Sequence, residues 1–157
     1  MAQHTTISGI STVKQIEIDM DNLPLNIPKL FLKDALAKDD VTGEVFELKL
    51  LVTDPFTHEK TDVDLLESGD GITGKAYFVR SDGKTKEITG VRSFNTIYDA
   101  GGGYHFEDFR MVYSLPAECY AVAGPFKLYL KITMNNITKT MMIIEGNVVE
   151  TKTATTV

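Results

Sequence analysis

The sequence predicts an all-β fold: an antiparallel β-sandwich of Ig-like or jelly-roll-like architecture, with roughly eight or nine strands and at most one short helix. Several short segments alternate apolar and polar residues with period two, which is the pattern of a strand with one buried face. Turn-forming residues separate these segments, and helical composition extends over no more than about two turns. Hairpins, and not helical crossovers, are therefore expected between neighbouring strands.

The chain has the length of a single domain. With 157 residues it is long enough to bury a core without disulfides or metals. Residues 13–150 are predicted to form one β-sandwich domain. Residues 1–12 are polar and rich in Thr and Ser, and they are predicted as an arm that is flexible or that orders only against a neighbouring molecule. Residues 151–157 keep a Thr-rich pattern and are predicted as an extended C-terminal tail.

The first part of the domain contains two well-marked strands and one ambiguous segment. Strict alternation over residues 13–20 predicts a half-buried strand. Residues 46–52 predict another strand, which is placed centrally because Leu51 adds an apolar residue to its second face. A short strand is expected at residues 30–32. Residues 33–40 have helical composition over a short length, so a short helix and a turn are equal alternatives there.

The clearest local signal is a hairpin over residues 72–89. Its turn, at residues 81–83, contains an Asp-Gly pair, and these two residue types tolerate the positive φ angles that tight hairpins require. The preceding residues 53–70 are irregular, with a short strand expected at residues 63–65. Residues 91–98 are rich in β-branched and aromatic residues and predict a further strand.

The last part of the domain is predicted to contain three strands and a compact link. Residues 109–114 alternate as a strand, and residues 117–124 are expected to form the link, with one helical turn. Residues 126–134 show the cleanest alternation and lead through an Asn-Asn turn into a return strand at residues 137–149. The apolar run in the return strand predicts burial on both faces or a bulge, and Gly146 is the predicted site of a bulge or bend.

Composition argues against several functional classes. The net charge of −6 argues against a nucleic-acid scaffold, which needs a basic face to meet phosphates, and it disfavours an anionic membrane surface. No apolar stretch approaches the ~18 residues of a membrane span. The N-terminal residues lack the basic start and apolar run of a signal peptide. Cys119 is the only cysteine and is predicted to be a packed thiol beside Tyr120.

No catalytic, cofactor-binding or metal-ligating residue is predicted. Residues 69–74 match the pattern G-x-G-x-x-G, but a dinucleotide site needs a helix after this motif, where the present chain has a hairpin. The acidic residues of the loop before the hairpin lack EF-hand spacing, which favours a solvated loop. His4, His58 and His105 are far apart and lack metal-ligand spacing. An enzyme would need a pocket with converging titratable groups.

Carbohydrate binding is an alternative function that rests on aromatic residues near the glycine run at residues 101–103. Tyr98, Tyr104 and Phe106 flank this run and could stack on a sugar if they were exposed in a shallow groove. Trp, the residue best suited to such stacking, is absent. The competing interpretation is that these aromatic side chains cap one end of the sandwich.

Three stretches carry a resemblance to a known family. They are YFVRSDGKTKEITG at residues 77–90, YSLPAECYAVAGPFKLYLKI at residues 113–132 and EGNVVETKTATTV at residues 145–157. Their motifs are a Phe-x-Arg-x-Asp-Gly hairpin and a Leu-Pro…Cys-Tyr-Ala-x-x-Gly link. Over residues 72–157 the chain resembles the β-sandwich domain of structural proteins from tailed phages of Gram-positive bacteria. It is similar to the N-terminal domain of upper baseplate proteins and to short head-fibre proteins, and residues 30–52 fit the pattern more loosely.

The resemblance implies a non-enzymatic virion structural protein, a baseplate or tail adaptor or anchor that docks as multiple copies on the particle. A capsid-bound head-fibre or decoration protein is one alternative, and a carbohydrate-binding host-recognition module is another. The implied partners are other virion structural proteins and further copies of this chain, in a trimer or ring. No cofactor, nucleic acid or membrane partner is expected. The expected location is the virion, after synthesis in the bacterial host cytoplasm. The family pattern reaches Val157 without a heptad or collagen repeat after it, which favours an adaptor, anchor or decoration protein over a complete adsorption fibre.

Overall fold

The described part of the chain is almost entirely β-structure. The computed structural model describes residues 3–8, 11–19, 27–40, 44–53, 56–62, 72–99, 103–134 and 136–151. The strands among these residues are β1 (Gln3–Ser8), β2 (Ser11–Asp19), β3 (Lys29–Phe31), β4 (Leu36–Ala37), β5 (Glu44–Thr53), β6 (Lys60–Asp62), β7 (Thr73–Val79), β8 (Thr85–Thr89), β9 (Val91–Asp99), β10 (Gly103–Ser114), β11 (Gly124–Met134) and β12 (Ile137–Val149). A short 3₁₀ helix, Ala117–Tyr120, lies between β10 and β11.

The strands form two six-stranded sheets. Sheet A has the order β1-β2-β5-β10-β9, with β6 beside β5, and sheet B has the order β3-β12-β11-β7-β8, with β4 beside β12. The inner faces of both sheets contribute to one hydrophobic core. This arrangement confirms the all-β, sandwich-like fold predicted from the period-two alternation.

The core is built from alternate residues of the strands. In β5, Phe46, Leu48 and Leu50 are fully buried, and in β11 Leu128 and Leu130 are fully buried as well. Burying a side chain of this size contributes about 1.5–3 kcal/mol relative to leaving it exposed. The alternation therefore decides which face of each strand turns inward.

A buried tyrosine also joins the two sheets. The Tyr113 hydroxyl, on β10 of sheet A, donates a hydrogen bond of 2.8 Å to the carbonyl oxygen of Lys131 on β11 of sheet B. Burial raises the pKa of Tyr113 far above its ordinary value. The hydroxyl therefore remains a donor, and it satisfies a backbone acceptor across the sandwich.

Three of the strand pairings are parallel, and in this the sheets depart from the predicted antiparallel arrangement. Strand β2 pairs in parallel with β5, and β12 pairs in parallel with both β3 and β4. The chain leaves sheet A after β2, adds β3 and β4 to sheet B, and returns to sheet A as β5. Hairpins were expected because no helix is long enough to form a crossover, but here the crossover is made by short strands of the opposite sheet.

The strands described are also more numerous than the eight or nine predicted. Strands β3, β4 and β6 are only two or three residues long, which is too short for a period to show in the sequence. Residues 33–40 form bends and a turn around β4, with Asp39 at a φ of 67°. The pairing of β4 with β12 has outweighed the local helical propensity of this segment.

The hairpin and the link have the predicted local structure. Strands β7 and β8 pair around the predicted turn, in which Gly83 has a φ of 85°. The helical turn expected within residues 117–124 is the 3₁₀ helix. Residues 3–8, which fall within the predicted arm, form β1 and pair with β2. The strand predicted at residues 63–65 and residues 152–157 of the predicted tail lie outside the described residues.

The bulge in the β11–β12 hairpin lies at a methionine. The register shifts between Leu130 and Lys131 of β11, which leaves Met141 as the extra residue of β12. Gly146 keeps a regular pairing with Phe126, so the predicted bulge at this glycine is wrong. The close approach of the Phe126 ring, described below, explains why residue 146 is glycine.

Candidate functional site

The cysteine is placed as a structural residue. Cys119 is fully buried in the 3₁₀ helix beside Tyr120, and burial raises the pKa of its thiol to about 12. A thiol in this state stays protonated at neutral pH and is a poor nucleophile. This confirms the prediction of a packed thiol.

Across the described ranges, no three or more His, Cys, Asp and Glu side chains are grouped so that they could hold a metal ion. Those ranges also contain no helix with the length and apolar character needed to cross a membrane.

The two motifs that carry the family resemblance contact each other in the fold. The turn of the β7–β8 hairpin lies against the link that contains the 3₁₀ helix. Nη1 of Arg80 donates a hydrogen bond of 3.3 Å to the carbonyl oxygen of Glu118. Oγ of Ser81 donates a hydrogen bond of 2.7 Å to the carbonyl oxygen of Ala123. The hairpin and the link therefore form one connected end of the sandwich.

The Arg-x-Asp-Gly part of the hairpin motif has a structural explanation. Arg80 forms an ion pair with Asp82, and its Nε donates a hydrogen bond of 3.0 Å to Oδ1 of the same carboxylate. Asp82 also accepts a hydrogen bond of 3.2 Å from the backbone N–H of Lys84. The hydrogen bond from Arg80 is the main reason that the pKa of Asp82 falls to about 2. The aspartate thus orients the arginine towards the link and closes the turn.

The link itself is fixed by two further contacts. Gly124 has a φ of 125°, and a Cβ atom at this position would lie 2.6 Å from Cβ of Ser81. Only glycine fits both the backbone conformation and this close approach. At the other end of the link, the Tyr120 hydroxyl accepts a hydrogen bond of 2.7 Å from the backbone N–H of Glu44 at the start of β5. These residues hold the fold together.

A groove crosses the outer face of sheet B. Its volume is about 270 Å³. Phe31 of β3 pairs with Glu145 of β12, which pairs with Lys127 of β11, which in turn pairs with Val79 of β7. Four neighbouring strands therefore each supply one residue to a single row across the groove. The remaining lining residues are Arg80, Pro125, Phe126, Gly146 and Asn147.

The packing beneath the groove depends on an aromatic stack. The rings of Phe78 and Phe126 are stacked, with centroids 4.6 Å apart and an angle of 20° between their planes. A Cβ atom at Gly146 would lie 2.7 Å from Cζ of Phe126. The glycine therefore lets the β12 backbone pass directly over a buried ring.

Phe31 is an exposed aromatic residue of the groove. Its side chain is 63% exposed, although it lies between two apolar neighbours, Leu30 and Leu32, that pack towards the core. A single exposed apolar residue is ordinary, but one that lines a groove is informative because it adds to a continuous apolar patch. Phe31 is therefore the natural anchor point of this surface.

A second row of residues extends the partly apolar surface. Ile143, Tyr129 and Tyr77 are direct cross-strand neighbours on β12, β11 and β7, and all three are half-buried. Nζ of Lys131 lies 5.5 Å from the centroid of the Tyr77 ring, which is within the range of a cation–π interaction. Together with the Phe31 row, these residues define what we call the sheet B outer face.

The sheet B outer face is more basic than the rest of the chain. Nζ of Lys75 lies 2.7 Å from Oε1 of Glu87, and the hydrogen bond between them raises the pKa of the lysine. Nζ of Lys127 and Nζ of Lys29 each lie 4.0 Å from Oε1 of Glu145. Exposed ion pairs of this kind contribute little to stability. Arg80, directly after β7 beside the groove, is paired with Asp82, and the pair adds no net charge. The charged residues at the outward positions of the strands of this sheet are Lys29, Lys75, Lys127, Lys131, Glu87 and Glu145. These four lysines and two glutamates give the face a charge of +2, so the remainder of a chain with net charge −6 carries −8.

The outer face of sheet A has a different character. Nε2 of Gln15 and Nη1 of Arg110 both donate hydrogen bonds to Oε2 of Glu47, at 3.3 and 3.2 Å. Polar side chains on three adjacent strands of this sheet are thus joined to one another. Among the described side chains, the aligned rows that contain Phe31, Tyr77 and Tyr129 make the sheet B outer face a candidate contact surface.

The predicted aromatic site lies on strands. Tyr98 of β9 is the Cα partner of Tyr104 of β10, and Phe106 is the partner of Thr96. The side chains of these residues lie outside the described part of the structure. The carbohydrate site therefore stays a prediction.

None of the residues of the sheet B outer face is predicted as a site residue, although the sequence contains a signal for this face. Tyr77 and Tyr129 occur at positions of two alternating strands where polar, solvent-facing residues are expected, so an aromatic residue there is unusual. Phe31 lies between two leucines, so a strand that turns both leucines inward must turn Phe31 outward. Comparison of the chain with models of known protein families gives no match, and a search of curated proteins finds no relative.

Proposed function

We propose that this chain is a non-enzymatic structural protein of a phage virion, an adaptor or anchor of the baseplate or tail that docks in multiple copies on the particle. The observation that carries the proposal is the contact between the hairpin turn and the link. These two segments supply the motifs of the family resemblance, and they interlock through Arg80, Ser81 and Gly124. Motifs that are distant in sequence and joined in space support a shared fold.

The character of the exposed surface also supports a docking role over a catalytic one. The groove volume of about 270 Å³ lies near the lower limit of the ~300–1,000 Å³ typical of small-molecule sites. Two of its charged residues, Lys127 and Glu145, lie within ion-pair distance of each other on a sheet face. A surface of this kind suits contact with another protein better than conversion of a substrate.

The proposal is tested on purified phage particles from a strain that carries the gene. Quantitative mass spectrometry should find the chain in a fixed ratio to the major virion proteins, and antibody labelling should mark the tail end of the particle. Labelling of the capsid would replace this proposal with the head-fibre or decoration alternative. Absence of the chain from the particles would refute a virion role.

Glycan binding provides the second arm of the test. A glycan array should remain silent with the purified protein. Binding that is lost in Tyr98→Ala or Tyr104→Ala would instead support the carbohydrate-binding module.

A further inference from the structure

We infer that the sheet B outer face is a contact surface for a second copy of this chain, whose acidic surface docks on it head-to-tail. This inference deepens the proposed function, since it names the docking face and the partner. It rests on three properties of the face: its shape, its charge and the way its charge compares with that of the rest of the chain.

The shape of the face suits a protein partner. Phe31 and Val79 lie at opposite ends of the row of residues that crosses the groove. Tyr77, Tyr129 and Ile143 form the neighbouring row and extend the surface along the strands. Aromatic and aliphatic side chains with a polar surround are typical of the centre of a protein interface. The groove is large enough to hold one apolar side chain of a partner, which is how an anchor residue binds.

The charge of the face selects an acidic partner. The four lysines outnumber the two glutamates described on this face, whereas the remainder of the chain carries −8. A basic face of one copy and the acidic remainder of another are complementary, and such complementarity favours association and fixes its orientation. Nucleic acid, the other common partner of lysine-rich surfaces, is disfavoured because the molecule as a whole is acidic.

The same charges determine the symmetry of the contact. If two copies met through the same face, two surfaces that each carry a net charge of +2 would be brought together, and their net charges would repel. A contact between this face and a different surface of the next copy avoids the repulsion. Head-to-tail contacts close into rings when the rotation between copies permits it, and otherwise they extend as filaments.

The test is the self-association of the purified protein. Sedimentation velocity of the wild-type protein should show oligomers at ~50 mM salt and their dissociation at ~500 mM salt, where charges are screened within a few ångströms. Lys127→Glu reverses a charge on the face, and Phe31→Ser removes the exposed anchor. Each should weaken self-association by about tenfold or more, with an unchanged thermal unfolding curve at ~500 mM salt, where the wild-type protein is also dissociated.

Two matched variants control for exposure and charge. Ile137 is 61% exposed, close to the value for Phe31, and both Ile137 and Lys139 lie in the first residues of β12, away from the groove row. Ile137→Ser and Lys139→Glu should associate as the wild-type protein does.

Three results would overturn the inference. The first is a wild-type protein that is monomeric at every concentration and at low salt. The second is an oligomer that is unaffected by Lys127→Glu and Phe31→Ser, and the third is an association that does not depend on salt. A monomeric protein that is still found in purified particles would leave the virion proposal standing. A salt-sensitive oligomer that is absent from particles would refute the virion role and not the contact.

Discussion

Replacing Gly146 with alanine tests the packing beneath the groove. Two effects of opposite sign compete. Residue 146 is not among the glycines with positive φ, so an alanine backbone fits, and the loss of unfolded-state entropy should stabilise the fold by about 0.4–1 kcal/mol. The new methyl group would lie 2.7 Å from Cζ and 2.9 Å from Cε1 of Phe126. Overpacking of this kind typically costs about 1–3 kcal/mol.

The clash should dominate, because the ring has little room to move. Phe126 is buried and stacked on Phe78. We expect Gly146→Ala to lower the free energy of unfolding by about 0.5–2 kcal/mol and the melting temperature by about 1–8 °C, since ~1 kcal/mol shifts the melting temperature of a chain of this size by ~2–4 °C. The measurement is urea and thermal unfolding followed by circular dichroism. Asn147→Ala, at the exposed neighbouring position, should change the free energy by less than about 0.5 kcal/mol.

A double-mutant cycle isolates the contact itself. Phe126→Leu shortens the side chain that meets the new methyl group, so in that background Gly146→Ala should cost almost nothing or stabilise the protein. If Gly146→Ala were as stable as the wild-type protein, or if the two substitutions were simply additive, the described approach of β12 to the Phe126 ring would be refuted.

Three further predictions concern the hydrogen bonds of Tyr113 and Asp82 and the thiol of Cys119. Tyr113→Phe withdraws the donor from the Lys131 carbonyl and should lower the free energy of unfolding in urea by about 1–3 kcal/mol; an unchanged value would mean that the bridge between the sheets is not formed. Asp82 has a folded-state pKa of about 2, below its ordinary 3.8, so its stabilising effect should be present above pH 3.8 and lost as the pH falls towards 2. The difference in urea midpoint between wild type and Asp82→Asn should therefore shrink over that interval, and a difference independent of pH would contradict the ion pair with Arg80. The Cys119 thiol should resist a disulfide reagent in the native protein and react at once in urea; rapid native labelling would contradict its burial.

Local sequence patterns were sufficient to predict the structural elements that depend on only a few neighbouring residues. The alternation in β7 and β11 and the Asp-Gly turn at Gly83 predicted the two hairpins, because period-two burial and positive φ are properties of the segment itself. The parallel pairing of β12 with β3 and β4 depends on residues that meet only in the folded chain. Neither the two-residue strand Leu36–Ala37 nor the choice of a turn in this segment could be read from local propensity.

The candidate contact surface was only partly visible in the sequence for the same reason. The polar-phase tyrosines Tyr77 and Tyr129 could have been noticed, since each departs from the alternation of its own strand. The alignment of Phe31, Lys127 and Val79 could not, because it depends on the register of four strands. The hydrogen bond from Arg80 to the link likewise joins two segments that are distant in sequence, so local patterns could not predict it.

The crossover through the opposite sheet constrains when the protein can fold during synthesis. Residue 29 pairs with residue 143 and residue 36 with residue 148, so β3 and β4 have no partner in their sheet until β12 has left the ribosome. The chain that joins β2 to β5 runs through these strands, and its path is therefore not fixed until then. Pairings between such distant residues form slowly, and unpaired strands expose edges in the meantime. A nascent chain that pauses before β12 is made would thus present its apolar strands to solvent, which makes this pause the point at which a holding chaperone would be most needed.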